Sequence, residues 1–177
     1  VQSGSDNILR AMNRQHTRAQ YLDLIKEIRR IIPECSISQD IIAGFPNEKD
    51  NDHQQTIDLM KKIKYDFGYM FAYSERPGTY AARNFKDDVS PETKQRRLAE
   101  IIELQQKHSH EQLKKDLGKT YEVLVEGVSK KSDHELYGRN THNSVIVFPR
   151  ENYKVGDYVM VKVETCTSAT LKGKAVK

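Results

Sequence analysis

The spacing of apolar residues changes near Lys119, and that change divides the chain into two kinds of structure. Before it, helical and strand patterns alternate. Thr17 is placed to cap a helix whose Tyr21, Leu24, Ile25, Ile28, Ile31 and Ile32 recur as a buried stripe, and Pro33 ends it. Residues 37–43 form a strand pattern, with Ile41-Ile42-Ala43 apolar on both faces, as in a covered parallel strand. A helix over 51–63 packs through Ile57, Met60 and Ile63, and a strand over 67–73 alternates Phe67, Tyr69, Phe71 and Tyr73. Strand, helix and strand in this order make a right-handed parallel βαβ unit. Ser90-Pro91 opens a long helix, as N-cap and first helical residue, and Gly118 is placed to close it.

After Lys119 the period is two. Tyr121–Glu126, Ser144–Phe148, Tyr158–Val163 and Thr170–Val176 are strand patterns, with Val155-Gly156-Asp157 as a turn. Short strands this close in sequence predict a small β-barrel. The expected architecture is therefore α/β plus all-β: the C-terminal half of a partial (β/α) barrel over residues 1–112, then a small antiparallel, OB-like barrel over 113–177. A sheet of so few parallel strands leaves an apolar edge uncovered. The first residue is Val1 rather than Met, and Val1-Gln-Ser-Gly-Ser5 looks like a strand passing into a loop. The chain is expected to be a piece of a larger protein.

Charge sharpens the division. Residues 1–112 carry 17 Lys and Arg against 17 Asp and Glu, whereas residues 113–177 carry 12 against 8. The whole net charge of +4 lies in the second part, which points to a polyanion partner there. No apolar run is long enough to span a bilayer. Cys35 and Cys166 stand 131 positions apart and are expected to be reduced structural thiols. No Cys cluster can hold an iron–sulfur centre or zinc, His108 and His110 fall on different sides of a helix, and no catalytic or metal-binding residue is assigned.

Three regions can bind. Asp40 is a carboxylate in a strand expected to be buried, costly unless paired or beside a ligand. Gly44-Phe45-Pro46 and Ser74-Glu75-Arg76-Pro77-Gly78-Thr79 follow the carboxyl ends of the two strands, where α/β sheets bind ligands. Arg76 offers a planar fork for a carboxylate or phosphate, on a loop stiffened by Pro77-Gly78. In the basic part, Lys130, Lys131, Arg139, Asn143 and Lys172 lie in loops or at strand ends, with Tyr137 and Phe148 as stacking candidates.

Gln2-Ser-Gly-Ser5, Met12-Asn-Arg14, Asp40-Ile-Ile-Ala-Gly-Phe-Pro-Asn-Glu48, Tyr73-Ser-Glu-Arg-Pro-Gly-Thr-Tyr-Ala-Ala82 and Leu136-Tyr-Gly-Arg-Asn140 stand in an order and spacing that resemble the radical S-adenosylmethionine tRNA methylthiotransferases. The resemblance covers the whole chain. It implies that residues 1–112 end a radical S-adenosylmethionine barrel, whose Cys-x3-Cys-x2-Cys motif this chain lacks, and that 113–177 are a TRAM domain binding the tRNA anticodon stem-loop. It implies S-adenosylmethionine and two [4Fe–4S] clusters as cofactors of the full-length enzyme, an electron donor such as flavodoxin, a cytoplasmic location, and an inactive fragment when the chain is alone. Gln2, Asp40, Gly44 and Pro46 are then cofactor-binding candidates, and Ser74, Arg76, Gly78 and Thr79 substrate-binding candidates. The implied reaction adds a methylthio group to C2 of N(6)-isopentenyladenosine. The alternatives are a paralogue acting on threonylcarbamoyl-adenosine tRNA or a ribosomal protein, and a non-catalytic RNA-binding module. The family often has Gly where Asn47 stands and an aromatic residue where His53 stands.

Overall fold

A computed structural model describes residues 1–176 and divides into two compact units, Val1–Gln105 and Gln106–Lys177. The first unit contains α1 (Asp6–Ala11), α2 (Arg18–Ile31), β1 (Ser38–Ala43), α3 (Asp50–Ile63), β2 (Phe67–Ala72), α4 (Tyr80–Asn84) and most of α5 (Pro91–Lys114). β1 and β2 are parallel, with Asp40 beside Tyr69 and Ile42 beside Phe71. Thr17 and Gln20 cap α2 reciprocally: Gln20 N–H donates to the Thr17 hydroxyl at 3.2 Å, and Thr17 N–H donates to Gln20 Oε1 at 2.9 Å.

One face of this sheet builds the core. Ile41 and Ala43 of β1 pack with Ile57, Leu59, Met60 and Ile63 of α3 and with Ile101 of α5. Gln39, also on this face, is held by Gln105, which in turn donates to the Tyr65 carbonyl at 2.9 Å. The segment before α1 is tied to α3. Gly4 N–H donates to Thr56 Oγ1 at 2.9 Å, and a Cβ on Gly4 would run into the Gln55–Thr56 backbone.

The other face is open, and this corrects the expectation of a strand covered on both sides. Ser38 and Asp40 are exposed and Ile42 is half-buried, beside Tyr69 at 60% and Phe71 at 56% exposure. Asp40 is therefore solvent-exposed, with no burial cost to offset. A second correction concerns α2: of its apolar stripe only Ile25 is fully buried, while Leu24, Ile31 and Ile32 are exposed. Periodicity specified a helix there but not what would cover it.

The second unit is a closed barrel of β3 (Thr120–Ser129), β4 (Ser132–Arg139), β5 (Val145–Pro149), β6 (Tyr158–Cys166) and β7 (Leu171–Ala175), in the order β3-β4-β5-β7-β6. β4 did not stand out in the sequence. Four pairings are antiparallel, and β5 meets β7 in parallel to close the ring. Inward residues Val123, Val125, Leu136, Ile146, Phe148, Val159, Val161, Val163 and Leu171 fill it. Two glycines permit closure. A Cβ on Gly138 would strike the Leu124 carbonyl, and one on Gly173 the Lys162 carbonyl. Among the described residues, no helix is long and apolar enough to cross a membrane.

Candidate functional site

β1 ends in a turn that the rest of the unit grips tightly. Gly44 has φ +73°, and a Cβ there would overlap the buried stem of Lys94. Phe45 is buried and meets Tyr73 and Phe85 edge-on, with ring centroids 5.1 and 6.0 Å apart. Pro46 is buried next to it. Asn47 has φ +68°, the left-handed region where Asn is tolerated and Gly is free. Its N–H donates to Asp88 Oδ1 at 2.6 Å. That bond, with Lys49 nearby, holds the Asp88 carboxyl below its ordinary range.

Glu48 folds back under this turn. Its buried carboxylate accepts the Gly44 N–H at 2.8 Å and Arg97 Nη1 at 2.9 Å. Arg97, also buried, donates further to the Glu48 carbonyl at 3.0 Å and to Asp50 Oδ1 at 2.8 Å. Arg96 continues the chain of charges to Asp50 and Glu100, and Glu100 meets the buried His53 at 2.7 Å. Burial pushes the Glu48 carboxyl up, opposed by the Gly44 N–H and by Arg97. The network ties the turn to Arg97 of α5 through the Gly44 N–H, the Glu48 carbonyl and the Glu48 carboxylate.

The turn after β2 is joined to the first, since Tyr73 N–H donates to the Ala43 carbonyl at 2.8 Å. Ser74, Arg76, Pro77, Gly78 and Thr79 are all exposed, and Gly78 has φ +80°. The Thr79 hydroxyl is used locally. It donates to the Arg76 carbonyl at 2.8 Å and caps α4 by accepting Ala82 N–H at 3.3 Å. Lys94 pairs with Asp87, and its ammonium lies 5.2 Å from the Tyr73 ring centre.

Between these turns lies a cleft of about 220 Å³ lined by Ala11, Met12, Arg14, Ile42, Phe45, Thr79, Tyr80 and Ala81. Of the binding regions singled out from the sequence, Thr79 of the second turn and Phe45 of the Gly44-Phe45-Pro46 turn line it. Gly44 and Pro46 stand next to Phe45 in the chain, and Asp40 lies on the open sheet face. Gln2 accepts Ile42 N–H at 3.1 Å through its carbonyl. Met12, Arg14, Ile42, Phe45 and Tyr80 went unassigned. All five lie within the quoted motifs, but their convergence from separate segments carries no periodic trace.

In the barrel the candidate cations are not one cluster. Lys130 and Lys131 occupy the β3–β4 turn, while Arg139 and Asn143 lie at the far end of β4, roughly 25 Å of strand away. Arg139 donates to the Asn143 carbonyl at 3.0 Å and pairs with Glu126 at 3.3 Å. Lys172 pairs with Glu135 at 3.3 Å. Phe148 is 1% exposed in the barrel core, which removes it as a stacking face, and Tyr137 is half-buried over Gly127. Among the described barrel residues, Tyr158 is the tyrosine most exposed, at 67%. It stands beside Leu124, and Met160 follows it on the outer face of β6, with Lys162 and Lys174 paired farther along. The sequence shows Tyr158 as a strand residue after a turn; which side it faces depends on barrel register.

Fit to the cofactors can be judged from these residues. An exposed carboxylate at Asp40 beside the open sheet face suits a ligand with a cationic group. An iron–sulfur cluster does not fit: among the described residues no three His, Cys, Asp or Glu side chains gather as ligands, and the two free cysteines lie in different units.

A partial α/β barrel followed by a small closed barrel matches two known sequence families. The Radical SAM superfamily pattern matches residues 1–60, and the TRAM domain pattern matches residues 114–176. Curated relatives that match this chain along nearly its whole length are named as tRNA methylthiolating synthases. It is 60% identical over 176 residues to the tRNA-2-methylthio-N(6)-dimethylallyladenosine synthase of Flavobacterium johnsoniae, covering 99% of this chain and 37% of that protein. It is 61% identical, with the same coverage, to the synthase of that name from Flavobacterium psychrophilum. The Phocaeicola vulgatus synthase is 53% identical, over 99% of this chain and 39% of that protein. The chain thus spans under two-fifths of the length of these relatives. Among solved structures, a conserved protein of Methanococcus maripaludis aligns over 34% of this chain and 80% of its own, at 26% identity and a TM-score of 0.29.

Proposed function

We propose that this chain is the C-terminal portion of a tRNA methylthiotransferase, acting on N(6)-isopentenyladenosine beside the anticodon and adding a methylthio group at C2. One observation carries the reading: identity of 60% to a synthase of that name runs through 99% of the chain, across both units. S-adenosylmethionine and two [4Fe–4S] clusters supply the radical and the sulfur when bound, with the cluster ligands elsewhere in the whole protein. A flavodoxin-like donor supplies electrons, and the enzyme works in the cytoplasm. The domain boundary falls near residue 112.

This chain's own residues hold and orient. Asp40 pairs with the cationic part of S-adenosylmethionine, beside Gln2, Gly44 and Pro46. Ser74, Arg76, Gly78 and Thr79 face the substrate nucleotide. Lys130, Lys131, Arg139, Asn143 and Lys172 contact phosphates of the anticodon stem-loop, and Tyr158 is the aromatic free to stack on a base.

The test is anaerobic turnover by the whole protein on tRNA lacking the methylthio group, followed by nucleoside mass spectrometry. The expected product is 2-methylthio-N(6)-isopentenyladenosine. Methylthiolation of threonylcarbamoyl-adenosine, of a ribosomal protein, or of nothing at all overturns the reading.

A further inference from the structure

The turn after β1 leaves one peptide with neither of its polar groups bonded. Before that peptide, the Ala43 carbonyl accepts Tyr73 N–H at 2.8 Å, and Gly44 N–H donates to the Glu48 carboxylate at 2.8 Å. After it, the Phe45 carbonyl accepts Glu48 N–H at 3.0 Å, and Asn47 N–H donates to Asp88. Between them, the Gly44 carbonyl and the Phe45 N–H have no hydrogen-bond partner among the described residues. Gly44 and Phe45 are both buried, and Phe45 lines the cleft. A buried peptide without hydrogen bonds is costly and uncommon, and such groups are satisfied by water or by a ligand.

The bonds on either side of this peptide oppose its rotation, and both end on Glu48. Glu48 is in turn fixed by Arg97, whose Nη1 donates to its carboxylate at 2.9 Å and to its carbonyl at 3.0 Å. The two side chains are 2% and 4% exposed. A buried ion pair contributes little net stability over an apolar pair, because desolvation offsets its attraction. The planar guanidinium does supply direction, since its donors form a rigid fork. We infer that Arg97 is a positioning residue for cofactor recognition: through Glu48 it sets the plane of the Gly44–Phe45 peptide against which S-adenosylmethionine binds. The inference rests on the proposed placement of that cofactor at this turn. It gives a recognition role to a residue of α5 that lies one shell behind the turn. Supporting residues of this kind hold the groups that touch a ligand to within about 0.5 Å of the productive geometry.

The experiment measures S-adenosylmethionine binding by the whole protein, its clusters reconstituted anaerobically, by isothermal titration calorimetry well below the melting temperature of every variant. Arg97→Met should weaken binding about tenfold, as loss of an outer-shell partner does in metal sites. Arg97→Lys keeps a cation for the Glu48 carboxylate without the fork; it should lose several-fold and so recover part of the affinity. Circular dichroism and cluster absorbance of both variants should match the parent. Asp40→Asn, at an exposed position, should weaken cofactor binding without lowering the melting temperature. Parental affinity in Arg97→Met beside a lowered melting temperature makes Arg97 a structural residue only and overturns the inference, while a loss in Asp40→Asn leaves the cofactor reading standing. Where Arg97→Met does not fold, Arg97→Lys carries the same test, and parental affinity in it overturns the inference. Parental affinity in the Arg97 and Asp40 variants alike overturns both readings.

Discussion

The two units solve the problem of sheet edges in opposite ways. The barrel has none: five strands close on themselves, so each backbone ladder is paired on both sides and the core is sealed by Phe148 and its neighbours. The α/β unit keeps two strands, buries one face under α3 and α5, and leaves Tyr69 and Phe71 exposed on the other. Its stability is concentrated below the sheet, in the helix-packed core and the Glu48–Arg97 network. Asp40, Tyr69 and Phe71 stand exposed on the opposite face. The contrast is between a core closed on all sides and a sheet covered on one face.

Hydrogen exchange gives the largest expected separation. Amides of Ile37–Ala43 should exchange far faster than those of Tyr121–Val125, because a two-stranded sheet opens locally while a closed barrel opens only as a whole. Equal, strong protection would break the comparison. Next comes Phe148→Ala, which leaves a cavity inside the ring and should cost about 3–5 kcal/mol in a denaturant melt of the barrel. A loss under about 1 kcal/mol would mean the ring collapses to fill the space and is less rigid than its closure implies.

In the α/β unit the matching test is Arg97→Met. It removes the guanidinium and leaves Glu48 buried without its charged partner, which should cost roughly 3 kcal/mol or more. The double variant Arg97→Met with Glu48→Gln should recover part of that loss, measured as a coupling in a double-mutant cycle. Purely additive effects would show that the network does not act as a unit.

Much of this contrast was legible in the sequence, and the exceptions are physical. Thr17 and Ser90 announced helix starts because capping is local chemistry between near neighbours. The strands of β3, β6 and β7 were visible because Val123, Val125, Val159, Val161, Val163 and Leu171 alternate with exposed positions. β4 was hidden because Ser132–Arg139 buries only Leu136 and Gly138 fully, leaving no apolar alternation to see. The residues of α2 showed the right period for a helix, yet cover is a property of the neighbours, and Leu24, Ile31 and Ile32 have little. Asp40 looked costly only under the assumption of a sheet covered on both faces. The Glu48–Arg97 pair joins residues 49 apart, and the cleft draws on three segments, so neither leaves a mark in any short window.

Backbone strain at the β1 turn separates local from tertiary causes at a smaller scale. Asn47 sits at φ +68°, a conformation that Asn tolerates better than most residues. Asn47→Gly should be neutral within about 0.5 kcal/mol, because Gly adopts this conformation freely. Asn47→Val should cost about 1–3 kcal/mol, since a β-branched residue is strained in this region. If both variants melt alike, the left-handed turn is not what fixes the residue type.

The smallest effect expected is that of Asp88→Asn, and its sign is set by pH. The Asp88 carboxylate accepts the Asn47 N–H and lies 3.6 Å from the Lys49 ammonium, contacts that lower its folded pKa below the usual 3.8. A group depressed in the folded state contributes stability that is fully present above its unfolded pKa and lost as pH falls through the folded value. Substitution by Asn removes the titration but retains an amide oxygen as acceptor. The variant should therefore melt slightly below the parent at pH 7 and converge with it below the ordinary carboxylate range. Because Asp88 is largely solvent-screened, salt should shrink the pH 7 difference as well. A gap that persists unchanged at low pH would assign the loss to packing around Asn47 rather than to charge. The β1 turn would then be held by Glu48 and Arg97 from below, with no electrostatic clasp from Asp88.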